Sequence, residues 1–151
     1  MGPVVGHVGS AGVGAASEAL SRTPAGTFGL TQAFGRQPDP GTGLPYFRTT
    51  RLDWWDENPA SPTYNTHVRQ VASPGGNSEN LYDAGAVYDY AVNVDYNTAR
   101  VPGAGSAIFL HVTNGSATAG CVAIGRDVLV KILRWLRPAA APVIVIGVAQ
   151  Q

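Results

Sequence analysis

Apolar residues are patterned as strands in the second half of the chain. Residues 86–96 alternate valine and tyrosine with other residues, which predicts a strand. Residues 106–112 form a nearly continuous apolar run, which predicts a buried central strand. Residues 143–148 are rich in valine and isoleucine and predict a last strand.

Only one segment shows clear helical periodicity. Its apolar residues recur on one helical face, at Val128, Leu129, Ile132, Leu133 and Leu136. Asp127 lies in the first turn and Arg134 in the last, where each charge complements the helix dipole. Pro138 ends the predicted helix. A weaker helical signal lies over residues 15–21.

Glycine and proline divide the rest of the chain into short pieces. Residues 4–13 predict a short strand pair interrupted by glycines. The sequence Thr23-Pro24-Ala25-Gly26 predicts a turn that leads into a strand at residues 27–30. Residues 37–45 and 54–66 are rich in polar residues and turn formers and predict two loops. The fold class predicted by these patterns is mainly β with one principal helix.

Composition restricts the class of protein. A length of 151 residues suits a single domain, and one cysteine excludes an internal disulfide. Ten basic residues balance ten acidic ones, which argues against a nucleic-acid partner and against a polybasic membrane-surface protein. No apolar run approaches the roughly 20 residues of a membrane span.

The first residues do not form a secretory signal, because they lack a charged start and are too rich in glycine for an apolar signal core. Two interpretations remain, a cytoplasmic protein or an exported protein whose leader has been removed. Strand-like residues directly after Met1 favour a chain taken from within a longer precursor.

A histidine and the single cysteine are separated by a short polar segment. His111 lies near the end of the apolar run, and Cys121 comes ten positions later. A loop of this length can return Cys121 close to His111. A cysteine needs a neighbouring base or cation to become a thiolate, and histidine titrates near neutral pH. Gly120 permits a positive φ or a close backbone approach, so that nearby N–H groups could face an oxyanion.

A purely structural interpretation competes with a catalytic Cys–His pair. A lone cysteine is often a small buried apolar residue, and a histidine at a strand end is often only hydrogen-bonded. His7, His67 and His111 do not have metal-ligand spacing with Cys121, so neither a metal nor a cofactor is expected. Spacing alone leaves both interpretations open.

Two motifs resemble the catalytic domain of the YkuD-type L,D-transpeptidases, which are cysteine enzymes of peptidoglycan cross-linking. Residues 105–111 (GSAIFLH) and 118–124 (TAGCVAI) resemble the family's strand-end histidine, short loop and Ser/Thr-x-Gly-Cys sequence. Residues 23–28 (TPAGTF) resemble its T-P-x-G-x-F turn and strand. The resemblance extends over residues 4–148 and implies a single-domain β-sandwich or barrel, with the principal helix after the cysteine.

The chain departs from the common family pattern at several points. Ala119 stands where many members have histidine, and Ala123 stands where many have arginine or asparagine. The spacing from His111 to Cys121 is also short, which places the chain nearer the YafK-like branch. Family members usually begin with a further strand. The resemblance therefore implies that residues 1–151 are one domain without its native N-terminal strand and leader, acting in the cell wall or periplasm.

The resemblance also implies roles for individual residues. Cys121 would be the nucleophile, His111 the general base, and the backbone amides of Gly120 and Cys121 part of an oxyanion hole. Candidate substrate-binding residues, each of which also has a purely structural interpretation, are Thr118, Arg126, Trp55 and Asn65.

The implied reaction is acyl transfer between peptidoglycan stem peptides. A donor peptide would form a thioester with the cysteine, and an amine acceptor would resolve it. Carbapenem-type inhibitors would acylate the same thiol. Water in place of the amine would give an L,D-carboxypeptidase or wall-peptide hydrolase. A degenerate, non-catalytic wall-binding domain is a further alternative, and an unrelated cytoplasmic thiol enzyme is the last.

Overall fold

A computed structural model describes residues 1–150, which form twelve short strands and one α-helix. The strands are β1 (Gly6–His7), β2 (Val13–Gly14), β3 (Thr23–Pro24), β4 (Gly26–Gly35), β5 (Tyr46–Arg48), β6 (Asp53–Asp56), β7 (Thr66–Arg69), β8 (Glu79–Asn80), β9 (Ala91–Val94), β10 (Phe109–Val112), β11 (Val122–Ile124) and β12 (Val143–Ile146). The helix α1 spans Arg126–Trp135, and two 3-10 turns span Ala86–Tyr88 and Pro138–Ala140. The predicted mainly β fold with one principal helix is confirmed.

A seven-stranded mixed sheet forms the centre of the domain. Its strand order is β1-β11-β10-β9-β4-β12, and β5 pairs with the other half of the same β4 edge. Strands β10 and β11 are parallel, whereas β9 is antiparallel to both of its neighbours. All four residues of β10 are buried, which confirms the central strand predicted from the apolar run.

The two faces of this sheet contact different layers, because successive side chains of a strand point to opposite sides. One face packs against α1 through a shared core that includes Leu110, Val112, Leu129 and Leu133. The other face carries Phe109 and His111 and is covered by a small antiparallel sheet in the order β7-β6-β8. Trp55 of β6 contacts Phe109 edge-on, with ring centroids 5.0 Å apart. The helix and the small sheet therefore lie on opposite sides of β10.

The helix is formed as its apolar periodicity predicts. It begins at Arg126, and the N–H of Leu136 donates to the Ile132 carbonyl oxygen in its last turn. Leu136 lies two residues before Pro138. Leu129 and Leu133 are fully buried. Within residues 1–150, no helix combines the length and the apolar character needed to cross a membrane.

Three predictions for the first 26 residues were wrong. The strand pair predicted over residues 4–13 does not exist, because β1 pairs with β11 and β2 pairs with β3. The turn predicted over residues 23–26 is instead β3 and the start of β4. Residues 15–21 contain no helix.

Two longer segments were also partly misassigned. The loop predicted over residues 54–66 contains most of β6, whose tryptophans and aspartates are held between β7 and β8. The strand predicted over residues 86–96 begins with a 3-10 turn and is extended only from Ala91 to Val94. Alternation did not reveal β6, because its ladder hydrogen bonds come from β7 and β8. The 3-10 turn is held by local bonds, from Tyr88 N–H to the Gly85 carbonyl and from Asp89 N–H to the Ala86 carbonyl, which an alternating apolar pattern does not indicate.

We expect Leu133→Ala to lower the free energy of unfolding by about 2–5 kcal/mol, because it removes a buried side chain between α1 and the sheet and leaves a cavity. Lys131→Ala on the same helix removes an exposed side chain and should change stability by less than about 0.5 kcal/mol. Urea denaturation of both variants measures the difference. Equal, small losses would contradict the packing of α1 against the sheet.

Candidate active site

The Cys121 thiol is buried against the backbone of the segment that leads into β10. Only 7% of the residue is exposed. Its Sγ donates to the Ala107 carbonyl oxygen at 3.2 Å and accepts the Phe109 N–H at 3.3 Å. Burial raises the pKa of the Cys121 thiol well above its usual range, and the charge of Glu79 adds to the effect, while the Phe109 N–H opposes it. The resting thiol is therefore protonated.

His111 faces the same side of the sheet as Cys121. Leu110 pairs with Val122 in the parallel register, so Cys121 lies beside Phe109, and His111 lies two residues further along β10. The two candidate side chains thus occupy neighbouring positions on one face. Among the described residues, no direct hydrogen bond joins the imidazole to the thiol. In enzymes without bound substrate, catalytic hydrogen bonds are often long and tighten only in the complex.

The tautomer of His111 is set by its hydrogen bond. Its Nδ1 lies 2.8 Å from the Val112 carbonyl oxygen, which can only accept, so Nδ1 carries the hydrogen. The lone pair is then on Nε2. Burial lowers the pKa of His111, although the bond to Val112 opposes that shift. A neutral imidazole with a free Nε2 is the form required of a general base at neutral pH.

Tyr88 is a site residue that the sequence did not indicate. Its ring contacts His111 edge-on at a centroid distance of 5.3 Å, and its hydroxyl donates to Glu79 Oε2 at 2.5 Å. The same hydroxyl is close enough to Cys121 to lower the pKa of the thiol. Because alternation placed it on a predicted strand, its position in the Ala86–Tyr88 3-10 turn was not foreseen. Tyr88 therefore contacts His111 and belongs to the same buried cluster as Cys121.

Asn65 and Trp55 act on the thiol indirectly, through the backbone of Ala107. Ala107 adopts a left-handed backbone with φ of 53°, and its N–H donates to Asn65 Oδ1 at 3.1 Å. The same oxygen accepts the Trp55 Nε1–H at 2.9 Å. The Asn65 amide group donates to two backbone carbonyl oxygens, those of Tyr96 and Asn97. Both predicted substrate-binding residues therefore use their polar groups within the protein.

Gly120 and Thr118 shape the turn before the cysteine. Gly120 has φ of 149°, and a Cβ there would lie 3.3 Å from the Arg22 carbonyl oxygen, so both the positive φ and the close approach favour glycine. Its N–H donates to Thr118 Oγ1 at 3.1 Å. The Thr118 hydroxyl donates in turn to the Cys121 carbonyl oxygen at 2.6 Å. In this conformation the Gly120 N–H is not free to face an oxyanion, and Thr118 closes the turn.

Arg126 is held by other partners. Its Nη1 lies 2.6 Å from Asp89 Oδ2, and its guanidinium is 5.2 Å from the centre of the Tyr90 ring. The hydrogen bond to Asp89 raises the pKa of Arg126 further above its usual value. The guanidinium of this candidate substrate-binding residue is thus already paired within the protein.

A cavity of about 270 Å³ lies next to the cysteine turn. Ala119 and Ile108 line it on the side of the turn, and Glu18, Glu57 and Glu79 line it elsewhere. Residues 1–150 contain no group of three or more His, Cys, Asp or Glu side chains that could hold a metal ion. Glu18 and Glu57 are distant from the cysteine motif in sequence, so no local pattern indicated them.

Comparison with known proteins identifies the family. The sequence model of YkuD, described as the L,D-transpeptidase catalytic domain, matches residues 4–145. No curated protein and no solved structure matches the chain. The family match includes His111 and Cys121 but does not assign a branch, so the YafK-like assignment stays a prediction. The chain belongs to the YkuD family of L,D-transpeptidase catalytic domains.

Proposed function

We propose that the domain is an L,D-transpeptidase that joins peptidoglycan stem peptides through a thioester on Cys121. The observation that carries the proposal is the placement of the Cys121 thiol, directly before β11, and of His111 on the parallel strand β10, on one face of the sheet. Membership of the YkuD family supports peptidoglycan peptides as the substrate class. It also supports action outside the cytoplasm, in the cell wall or periplasm.

Acylation begins from a protonated thiol. As Cys121 Sγ attacks the donor carbonyl carbon, the C–S bond forms and the thiol proton passes to Nε2 of His111. The C–N bond to the terminal D-residue then breaks, and the imidazolium returns the proton to the departing amine. The hydrogen bond from Nδ1 to the Val112 carbonyl holds the ring in the required tautomer and stabilises the imidazolium.

Transfer to the acceptor reverses the roles. The acceptor amine attacks the thioester carbon, His111 removes its proton, and the C–S bond breaks as the new amide forms. The thiolate then recovers the proton. The backbone amides of Gly120 and Cys121 remain the proposed oxyanion donors, which requires the Gly120 N–H to exchange Thr118 Oγ1 for the oxyanion.

Two alternatives to a transpeptidase remain, one with a different acceptor and one in which Cys121 does not react. Water as the acceptor would make the domain an L,D-carboxypeptidase or a wall-peptide hydrolase with the same residues. The burial of Cys121 and its raised pKa favour a second candidate, a non-catalytic wall-binding domain. An assay with and without an amine acceptor separates the first alternative, and acylation of the thiol separates the second.

We expect incubation with a carbapenem to add one inhibitor mass to the wild-type protein, on the Cys121 peptide, because the thiol can attack a strained carbonyl. Cys121→Ala should gain no mass and keep its fold. Intact-protein and peptide mass spectrometry measure the adduct, with circular dichroism as the folding control. A folded wild-type protein that remains unmodified, with Cys121 also inert to iodoacetamide, would favour the non-catalytic domain.

We expect the acylation rate to fall at acidic pH as His111 becomes protonated. Because burial lowers the pKa of His111, this loss should lie below the usual histidine pKa of about 6.5. In His111→Gln, which cannot accept the proton, the rate should be at least roughly a hundredfold lower near neutral pH. Stopped-flow acylation across the acidic and neutral range measures both profiles. Superimposable profiles would remove His111 from the mechanism.

We expect Asn65→Ala to lower stability by about 2–4 kcal/mol, because the Asn65 side chain makes four hydrogen bonds worth roughly 1 kcal/mol each. Acylation of Cys121 should also slow, since Ala107 loses its support. Asn65→Gly is the matched control, because glycine tolerates the left-handed φ of 58° and should recover about 1 kcal/mol without restoring acylation. Urea denaturation and adduct kinetics test both variants. Wild-type acylation in Asn65→Gly would contradict the positioning role.

A further inference from the structure

The cavity beside the cysteine turn contains more carboxylate groups than hydrogen-bond donors. Ser106 Oγ lies 2.8 and 3.0 Å from the two oxygens of Glu18 and 3.2 Å from Glu57 Oε1. A hydroxyl has one hydrogen, so Ser106 can donate to only one of these carboxylates at a time. The Tyr64 hydroxyl donates to Glu18, and the Tyr88 hydroxyl donates to Glu79. The cluster is therefore short of donors at Glu57.

Glu57 is the group whose hydrogen bonding is incomplete. The residue is 8% exposed, and its Oε2 is buried without a hydrogen-bond partner. Leaving a buried acceptor unsatisfied costs about 1–3 kcal/mol, so such atoms in native proteins call for an explanation. Its Oε1 lies 3.2 Å from Ser106 Oγ, and Glu57 is one of the residues that line the cavity. The unsatisfied oxygen indicates a donor that enters from the cavity.

The charges around Glu57 are mostly negative. Burial raises the pKa of Glu57 to about 9, with the charges of Glu79, Glu18 and Asp56 acting in the same direction, while the Ser106 hydroxyl opposes them. Arg22 lines the cavity, but its Nε donates to the Ala11 carbonyl oxygen. Within residues 1–150, Arg22 forms no ion pair with these carboxylates. The cavity thus lacks a cation of its own that would stabilise Glu57 as a carboxylate.

We propose that this cavity binds a primary ammonium group of a wall peptide, with Glu57 as its main ligand. An ammonium group brings three donors and one positive charge, which match the unpaired Oε2 and the excess of carboxylates. Within the described residues the side chains have no arrangement suited to a metal ion, which favours an organic cation. The inference rests on the proposed function, since it assigns a peptide group to the same active site.

The position of the cavity connects the ammonium group to the reaction. Ser106 directly precedes Ala107, whose carbonyl oxygen accepts a hydrogen bond from the Cys121 thiol. Ala119, which lines the cavity, lies two residues before Cys121. Glu79 is joined to the site through Tyr88. An acceptor held here as an ammonium group would lie beside the acylated cysteine, and it would pass one proton to the Glu57 carboxylate before the free amine attacks the thioester. A side-chain amine of the donor peptide has the same chemistry, and kinetics can distinguish the two sources.

The first test measures binding without any reaction. N-acetyl-L-lysine methylamide supplies the ammonium group, and N-acetyl-L-norleucine methylamide is its neutral counterpart. We expect the lysine probe alone to shift NMR signals of the cavity residues, with at least tenfold weaker binding in Glu57→Gln. Asp83→Asn, which alters an exposed carboxylate paired with Arg51, should bind like the wild type. Equal binding of both probes, or unchanged affinity in Glu57→Gln, would overturn the proposal.

The second test separates the source of the ammonium group from the proposed function. An acceptor site predicts that Glu57→Gln slows amine-dependent release of the acyl-enzyme more than acylation, whereas a donor site predicts slower acylation by the stem peptide. Either pattern supports an ammonium site. If Glu57→Gln slows neither step, the proposal is overturned. If the lysine probe binds but a carbapenem never acylates Cys121, the proposed function fails while the cavity assignment stands.

The raised pKa of Glu57 gives a test based on stability. The folded-state pKa is about 9 and the ordinary value is 4.5, so the native state retains a proton that the unfolded chain has lost. Wild-type stability should therefore fall between pH 4.5 and pH 9 relative to Glu57→Gln, which stays neutral. Melting temperatures measured across this range should diverge as pH rises. Parallel curves would show that Glu57 is not a buried, proton-retaining carboxyl group in the free protein.

Discussion

The active site depends on one residue in a left-handed conformation. Ala107 at φ of 53° turns its N–H toward Asn65 and its carbonyl oxygen toward the Cys121 thiol. A residue with a Cβ adopts this conformation at a cost of about 1–2 kcal/mol, which must be offset by the surrounding contacts. Asn65 supplies that offset through an amide whose oxygen and nitrogen are both fully engaged. The position of the Cys121 thiol is therefore set by the small sheet as well as by the central one.

Desolvation determines the chemistry of the site. It raises the pKa values of the Cys121 thiol and of Glu57 and lowers that of His111, and each shift favours the uncharged form. Each group at rest is thus in its uncharged state, and charge separates only when a substrate changes the surroundings. A thiol and a histidine in these states form a neutral pair that needs a donor carbonyl before a proton moves. This differs from a preformed thiolate–imidazolium pair, which would react with any electrophile.

The sequence predicted what local chemistry controls. Apolar periodicity located α1, a continuous apolar run located β10, and Gly120 was expected at a positive φ or close approach, as the structure has it. The sequence did not predict that the polar groups of Trp55 and Asn65 would form hydrogen bonds within the protein, because their partners lie 10 to 42 residues away. Nor could it indicate Tyr88, which acts from a 3-10 turn, or Glu57, whose environment is assembled from several segments. Residue types and spacing indicated the Cys121–His111 pair, whose catalytic role stays a prediction, whereas the surrounding network required tertiary contacts.

The enclosure of the Cys121 sulfur bears on the lifetime of the protein. Oxidants attack the thiolate far faster than the thiol, and they need access to the sulfur. A protonated sulfur enclosed by Ala107 and Phe109 resists conversion to sulfenic acid. With no second cysteine in the chain, a sulfenic acid at Cys121 could not be rescued by an internal disulfide. In oxidising surroundings, this enclosure would keep the sulfur reduced until a ligand reaches it.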